Sequence, residues 1–392
     1  MRVLILHNRY QVRGGEDSVV EEESNLLRSH GVEIDRIVVD NDSIHGVRKK
    51  VSTAFDSVYS WTARRMVAAK LAQFRPDVVH AHNLFPRLSP SVFDAARDAR
   101  VPVVQTIHNY RLVCANGLLF RAGQVCEQCV GRSFGWPAVV HGCYRGSRIG
   151  SATVSLMTAV HRGLGTWKNK VARYIVLTEF VRDLMVSREV LPSDRIVVKP
   201  NAVADLGKGE GRGGYALFVG RLSPEKGVRP LLETWKENSP PVRLRIAGDG
   251  PLRPEVEAVA GKHNIEYLGP VSKGCVRDLM RDAMVLMIPS LWYEGLPVVV
   301  PEAFSASLPI VASNLGSLGT LIAPEETGLL VSPGNAASLC EAVTKLHESP
   351  LLQSRMRARA REVYEHLYRP ESNLKLLLSI YDEARSAVGC VS

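Results

Sequence analysis

The chain has 392 residues, 45% hydrophobic and 23% charged, with a formal net charge of +9. That length exceeds one ordinary hydrophobic core and predicts two domains of roughly 200 residues each. The composition excludes a disordered tail, a collagen-like fibre and a disulfide miniprotein.

In chain order, the apolar run at 3–6 is too short for a helix and predicts a strand. After Gly14-Gly15, residues 16–30 predict a helix stopped by Gly31, and 37–39 predict a second strand. Residues 51–74 set Phe55, Val58, Tyr59, Thr62, Met66 and Ala69 near one face at helical spacing. Further strands are predicted at 78–79, Val103–Ile107 and 174–177. The second half repeats the scheme, with strands at Ala216–Val219, Leu244–Ala247, 265–268, Val285–Ile288 and 310–312, and helices at 252–263 and 276–282. Alternation of apolar strands and helices argues for parallel sheets covered on both faces. Residues 201–214 hold five glycines and no apolar period, which predicts a flexible linker. The expected division is an N-terminal domain 1–203, a linker 204–214, a C-terminal domain 215–370, and a final segment 371–392 whose helix (374–386) crosses back to the first domain. Two such domains leave a cleft between the carboxyl ends of their sheets, where ligands of open α/β folds bind.

The charge is uneven. Residues 1–200 hold 28 Lys+Arg against 18 Asp+Glu (+10), and residues 201–392 hold 21 against 22 (−1). A cationic first half suits a solubility surface, or attraction to anionic lipid headgroups or a phosphorylated acceptor. No recognition motif or aromatic-and-basic cluster points to nucleic acid. No apolar run approaches the roughly 18 residues of a membrane span. The first apolar stretch also falls short of the about 7–15 residues of a signal-peptide core. The expected location is the cytoplasm, with peripheral contact at the inner face of the plasma membrane.

Two clusters carry candidate chemistry. Gly220-Arg221 leaves a strand and Lys226-Gly227 follows five residues later, so two cations flank a helix start, which is a good anion site. A turn with solvated cations fits the same residues. The second cluster is Trp292-Tyr293-Glu294-Gly295-Leu296-Pro297, with Glu302 eight residues after Glu294. Paired carboxylates at a strand-to-helix loop accept hydroxyl hydrogen bonds and suit a sugar or ribose.

These turns, with the Ala247-Gly248-Asp249-Gly250-Pro251 turn between them and the Glu294-x(7)-Glu302 pair, resemble in order and spacing the retaining GT-B-fold glycosyltransferases of family 4 (glycosyl transferases group 1). Gly14-Gly15, His108 and Pro200-Asn201 also fit, so the resemblance covers nearly the whole chain. It implies an α/β, GT-B architecture of two Rossmann-like domains, with the donor in the second domain and the acceptor in the first. It implies that Arg221 and Lys226 bind the diphosphate of a nucleotide sugar and stabilise the leaving group, with no cofactor required. Glu302 would accept from the ribose hydroxyls and Glu294 from the donor sugar, backed by the N–H groups of Gly295 and Leu296. His108 would face the donor sugar, and Gly14 and Gly15 would allow close backbone approach. The acceptor implied is a saccharide, lipid-linked or belonging to a surface polysaccharide. Three departures bear on the donor site: Pro301 before Glu302, Ser307 where the family has glycine, and Gly319-Thr320 where it has Pro-Glu. A nucleotide-sugar epimerase on the same scaffold, or a noncatalytic sugar-nucleotide-binding protein, stays open as an alternative.

Four of the seven cysteines fall within thirty residues: Cys114, Cys126, Cys129 and Cys143. Cys126-x-x-Cys129 has metal-knuckle spacing, so a structural zinc is expected in an insertion at 110–148, with His141 as a substitute ligand. Cys275, Cys340 and Cys390 are isolated. Asp40-x-Asp42 matches the metal pair of a different glycosyltransferase fold but lies far in sequence from the donor motifs. His80 and His82 straddle a strand end, where structural hydrogen bonds are the simpler role. Gly248-x-Gly250 lacks the third glycine of a dinucleotide fingerprint.

Overall fold

The computed structural model describes residues 1–9, 15–40 and 56–389. It divides into two compact units. The first comprises Met1–Leu119, Glu127–Pro200 and Asn373–Ser392, and the second comprises Asn201–Ser372 with the short segment Phe120–Cys126.

In chain order the strands of the first half are β1 (Arg2–Asn8), β2 (Glu33–Val39), β3 (Val78–Ala81), β4 (Val103–Ile107), a small hairpin of β5 (Phe120–Arg121) and β6 (Gln124–Val125), β7 (Arg173–Val176) and β8 (Ile196–Val198). The first unit's sheet runs β2-β1-β3-β4-β7-β8, all parallel. Every residue of β3 and β4 is buried, so neither strand alternates in burial, and the polar His80, Gln105 and Thr106 sit inside the unit with the apolar residues. The chain's direction of travel across the sheet reverses between β1 and β3, and pockets of doubly wound sheets form at such a point. The C-terminal helix Pro370–Gly389 packs on this unit. It lays Leu374, Leu377, Ile380, Tyr381 and Ala384, one helical face, onto a core containing Val3, Ile5, Val78, Val104 and Ile175. Fully burying each large apolar side chain there stabilises by about 1.5–3 kcal/mol.

The second unit's strands are β9 (Ala216–Val219), β10 (Leu244–Ala247), β11 (Ile265–Gly269), β12 (Val285–Ile288), β13 (Ile310–Ser313) and β14 (Gly328–Val331). They run β11-β10-β9-β12-β13-β14, all parallel, with the reversal between β9 and β12. Trp235, fully buried among Leu231, Val242 and Leu346, anchors the core on one side, and its indole N–H donates to Val242 O at 2.8 Å.

Several expectations are corrected. The helix expected over 51–74 is broken: residues 56–58 form a short helical turn, and the main helix begins at Trp61, because Ser60 is extended and its hydroxyl accepts from Ala63 N as an N-cap. Its buried face is Ala63, Val67, Leu71 and Phe74, and Met66 is exposed; residues 51–55, with Phe55, lie outside the described residues. The helix expected over 252–263 spans only Arg253–Glu257 and gives way to turns. Strands β5, β6, β8 and β14 are additional. Residues 201–214 do not behave as a flexible linker: Gly209, Gly211 and Gly213 donate backbone N–H bonds to Ala306, Arg281 and Asp282. A Cβ on Gly209 would run into the Arg281 backbone and one on Gly211 into the Arg357 guanidinium. The glycines serve close approach here, and the Asp205–Arg361 ion pair (2.6 Å) ties the same stretch down.

Candidate active site

In the second unit the site residues gather at the carboxyl ends of β9 and β12, the two strands flanking the reversal. After β9 the chain turns through Gly220-Arg221, then a short 3-10 turn Pro224–Lys226, then Gly227. Gly227 has φ +70° and a Cβ there would collide with Pro289 O, so only glycine lets this turn press against the end of β12. That contact delivers Lys226 to Glu294: Nζ lies 2.7 Å from Oε1. Ser290 Oγ donates to the same oxygen at 2.7 Å. The Glu294 side chain is buried and that of Lys226 is partly open to solvent. The Lys226 ammonium also lies over the Trp292 ring, 5.4 Å from its centroid, and Trp292 Nε1 is buried with no hydrogen-bond partner among the described residues. Leu291 N donates to Glu225 O (2.8 Å), a further tie between the two loops.

Arg221 is exposed on the same turn. Gly295 and the buried Leu296 follow Glu294 and lead into the helix Val299–Ser305. Glu302 lies in that helix's first turn, its N–H bonded to Val298 O. Pro301 is accommodated because the helix starts before it, and a first-turn residue has no intrahelical N–H bond to lose. Ser307 adopts φ +56°, the left-handed region that glycine occupies without strain. Gly319 and Thr320 lie in the short helix Ser317–Leu321.

In the first unit the carboxyl ends of β1, β3 and β4 bring four histidines together. His108, after β4, and His82, after β3, line a cavity of about 60 Å³ with Glu16, Asn83, Thr106 and Trp167. His82 Nδ1 and His108 Nε2 are 3.0 Å apart and the rings stack. His80, fully buried in β3, is bonded at both nitrogens, to the Tyr381 hydroxyl of the C-terminal helix (2.7 Å) and to Thr106 Oγ1 (2.8 Å). Glu23 faces both, its Oε1 3.3 Å from His80 Nδ1 and 3.6 Å from His82 Nε2, while its Oε2 is paired with the buried Lys199 at 3.0 Å. His7 Nε2 meets Asp17 at 2.8 Å. Burial pushes His80 down to about 4 and His108 to about 3, and lowers His82 well below its ordinary value. These three imidazoles are neutral at pH 7. Glu23 stays ionised, its carboxyl held below the usual range by Lys199 against the opposing cost of burial. Gly15 begins the helix Gly15–Ser29; Gly14 lies outside the described residues, as do Asp42 and Cys390. Asp40 is exposed and lies 3.7 Å from Arg9.

Among the described residues one group offers three ligand atoms within 4.8 Å of one another, Glu23-His80-His82, and no cysteine belongs to it. The Cys114 thiol turns to Asn116 Oδ1 at 2.9 Å. Cys129 shares a small cavity with Cys114, Cys126 closes the hairpin segment that groups with the second unit, and His141 is exposed at the end of the helix Trp136–His141.

Sequence reasoning missed Ser290, Trp292 as a lysine platform, and the Glu23–Lys199 and His80–Tyr381 links. Ser290 and Trp292 lie within four residues of Glu294 and were findable as its immediate neighbours; the other links join distant parts of the chain.

Two parallel-sheet Rossmann-like units with charged loops at the carboxyl ends define a GT-B architecture. A solved structure of Anabaena Alr3699/HepE in complex with UDP superposes with a TM-score of 0.68 at 14% identity, covering 97% of this chain and 99% of that one. Residues 14–202 match the model of the glycosyl transferase 4-like domain and residues 205–363 that of glycosyl transferases group 1. The chain belongs to the GT-B glycosyltransferases of the family 4 type. It is 28% identical over 236 residues to an alpha-D-kanosaminyltransferase of Streptomyces kanamyceticus, covering 55% of this chain and 61% of that protein. It is 31% identical over 220 residues to a phosphatidyl-myo-inositol mannosyltransferase of Mycobacterium leprae, covering 52% of this chain and 58% of that protein. In both cases the match spans less than two thirds of the relative. Among the described residues no helix is long and apolar enough to cross a membrane.

Proposed function

We propose that this protein is a retaining glycosyltransferase that moves a hexosyl group from a nucleoside-diphosphate sugar to a lipid-linked saccharide. The observation that carries the reading is the Lys226–Glu294–Ser290 arrangement at the reversal point of the second sheet, where an ammonium and a buried carboxylate stand side by side. Such a pair suits a ligand with an anionic end and a hydroxylated end. Lys226, with Arg221 on the same turn, offsets the charge that builds on the departing diphosphate as the glycosidic bond lengthens. Glu294 and the N–H groups of Gly295 and Leu296 hold the sugar, and Glu302 takes the ribose hydroxyls.

In the first unit His108 faces the substrate sugar. A carboxylate facing His82 Nε2 favours a proton on that nitrogen, leaving Nδ1 as an acceptor. His108 Nε2 then donates to it, and His108 Nδ1 is left as a lone pair for a substrate hydroxyl. Because burial keeps His108 neutral, this polarity persists across the physiological range. The cationic first half and the likeness to a protein named for phosphatidyl-myo-inositol support a lipid-borne acceptor.

Thermal melting against a panel of nucleotides and nucleotide sugars tests the donor, with UDP first because a structural neighbour holds it. At a hundredfold excess over its dissociation constant the donor stabilises by about 2.7 kcal/mol, a rise of several degrees. No shift with any nucleoside diphosphate refutes the donor site. NMR of the product tests retention, and inverted anomeric stereochemistry refutes it.

A further inference from the structure

The helix Arg148–Gly163 is amphipathic with its faces exchanged. Its inward side buries Ser151, Ser155 and His161 beside Val154 and Met157. Its outward side presents Ile149, Leu156 and Val160, and Leu164 continues the line past the helix end; Ile149 is 79% exposed, Leu156 48% and Leu164 59%. Spacings of seven, four and four residues keep these four on one stripe. The neighbouring helix Trp136–His141, which packs against it, adds Trp136 (52% exposed) and Val140, preceded by the exposed Phe134. A run of large apolar groups turned to water beside inward serines marks a surface that meets something other than water.

The charge around this surface says what that is. Residues 128–178 contain seven Lys+Arg and no Asp or Glu. Lys170 and Arg173 pair with Asp94 and Glu383 from elsewhere in the unit. Arg132 and Arg148 are exposed and have no carboxylate partner among the described residues, whereas Arg162 is half-buried, donates to Arg132 O and lines a small cavity with Ser155. Arg132 lies over the Trp136 indole, 5.2 Å from the ring centroid, and its Nε donates to Gln128 O. Tryptophan, branched aliphatics and unpaired arginines together are the chemistry of the boundary between headgroups and acyl chains.

We propose that the outward faces of Trp136–His141 and Arg148–Gly163 dock on a bilayer bearing anionic lipid headgroups. The stripe enters the acyl boundary and Arg132 and Arg148 meet the phosphates. This deepens the reading of a lipid-borne acceptor by naming where the chain meets lipid. The test needs neither donor nor transfer, so it can fail without touching the enzymatic reading.

The experiment is co-sedimentation of the full chain with phosphatidylcholine vesicles, with and without about a third phosphatidylglycerol. Wild type is expected on the anionic vesicles, releasing as salt rises because exposed charges are screened over about 10 Å at 0.1 M. Ile149→Glu/Leu156→Glu, and separately Arg132→Gln/Arg148→Gln, should each weaken binding by about tenfold or more. Both double variants change side chains that project into solvent, so their melting temperatures and nucleotide-induced shifts should match wild type. Absence from anionic vesicles, equal binding to neutral ones, or binding that survives both double variants overturns the proposal. So does a concentration-dependent dimer in sedimentation velocity that the Ile149/Leu156 variant dissociates, because a second copy then covers the stripe.

Discussion

Replacing Lys226 with alanine separates the two things its ammonium can do, brace Glu294 and offset charge on a leaving group. The pair is close, 2.7 Å, with the glutamate side chain 5% exposed and that of the lysine 26% exposed. Deleting one partner of a fully buried pair costs about 3–5 kcal/mol. Water reaches this lysine, and Ser290 still donates to Glu294 Oε1 in the variant, so the expected loss of stability is nearer ~1–2 kcal/mol. The loss of turnover is a separate quantity. One charged contact made chiefly in the transition state is worth about a hundredfold in kcat, or ~2.7 kcal/mol. Urea unfolding reads the first number, and release of nucleoside diphosphate at saturating donor reads the second. Adding Glu294→Gln removes the stranded charge, so the double variant should regain about half or more of the lost stability. Its turnover should stay as low as that of Lys226→Ala. If Lys226→Ala keeps kcat within about threefold of wild type, the lysine does not serve the leaving group. If activity returns together with stability in the double variant, bracing Glu294 is all it does.

Two further outcomes follow from buried groups. Burial holds His80 near 4 and His108 near 3, so between pH 6.5 and about 4 the unfolded chain takes up protons that the folded chain refuses. Stability is therefore complete above about pH 6.5 and falls as the solution is acidified, by up to ~1.4 kcal/mol per pH unit for each such histidine; a melting temperature unchanged from pH 7 to 5 refutes the buried cluster. Ser307 carries φ +56° in a buried position, and Ser307→Gly should relieve about 1 kcal/mol of strain and raise the melting temperature by a few degrees, whereas an unchanged or lower value shows that no strain is stored there.

The meeting of Lys226 with Glu294 was legible in the sequence because it is local. Gly227, Lys226 and Glu294 lie in loops that directly follow strands, and a parallel sheet brings the ends of adjacent strands together whatever the intervening helices do. Knowing that β9 and β12 are strands is nearly enough to bring Lys226 to Glu294. The first unit offers no such shortcut. His80 bonds a tyrosine 301 positions away and Glu23 pairs with a lysine 176 positions away. A histidine at a strand end announces itself, but the distant groups that bury it and set its protonation do not. The cysteines are a related case. Cys-x-x-Cys spacing alone does not say whether the backbone converges the thiols: the Cys114 thiol meets Asn116, and Cys126 closes a hairpin segment grouped with the other unit.

The stripe on Arg148–Gly163 marks a deeper limit. Helical periodicity reports that Ile149, Leu156 and Val160 share a side, but not whether that side faces the core. A reader of sequence turns the apolar side inward by default, because water makes the other choice costly. In this helix His161 decides the matter: its Nδ1 bonds the buried Thr166 hydroxyl and its Nε2 the Val58 carbonyl, and Ser155 Oγ donates to Gly135 O. Those polar anchors fix the inward side by hydrogen bonding and leave the apolar stripe to the surface. A helix held by its polar face has its apolar face available for a partner, and the arginines that border it, unmatched by any acid over residues 128–178, set the sign of the charge that partner must carry.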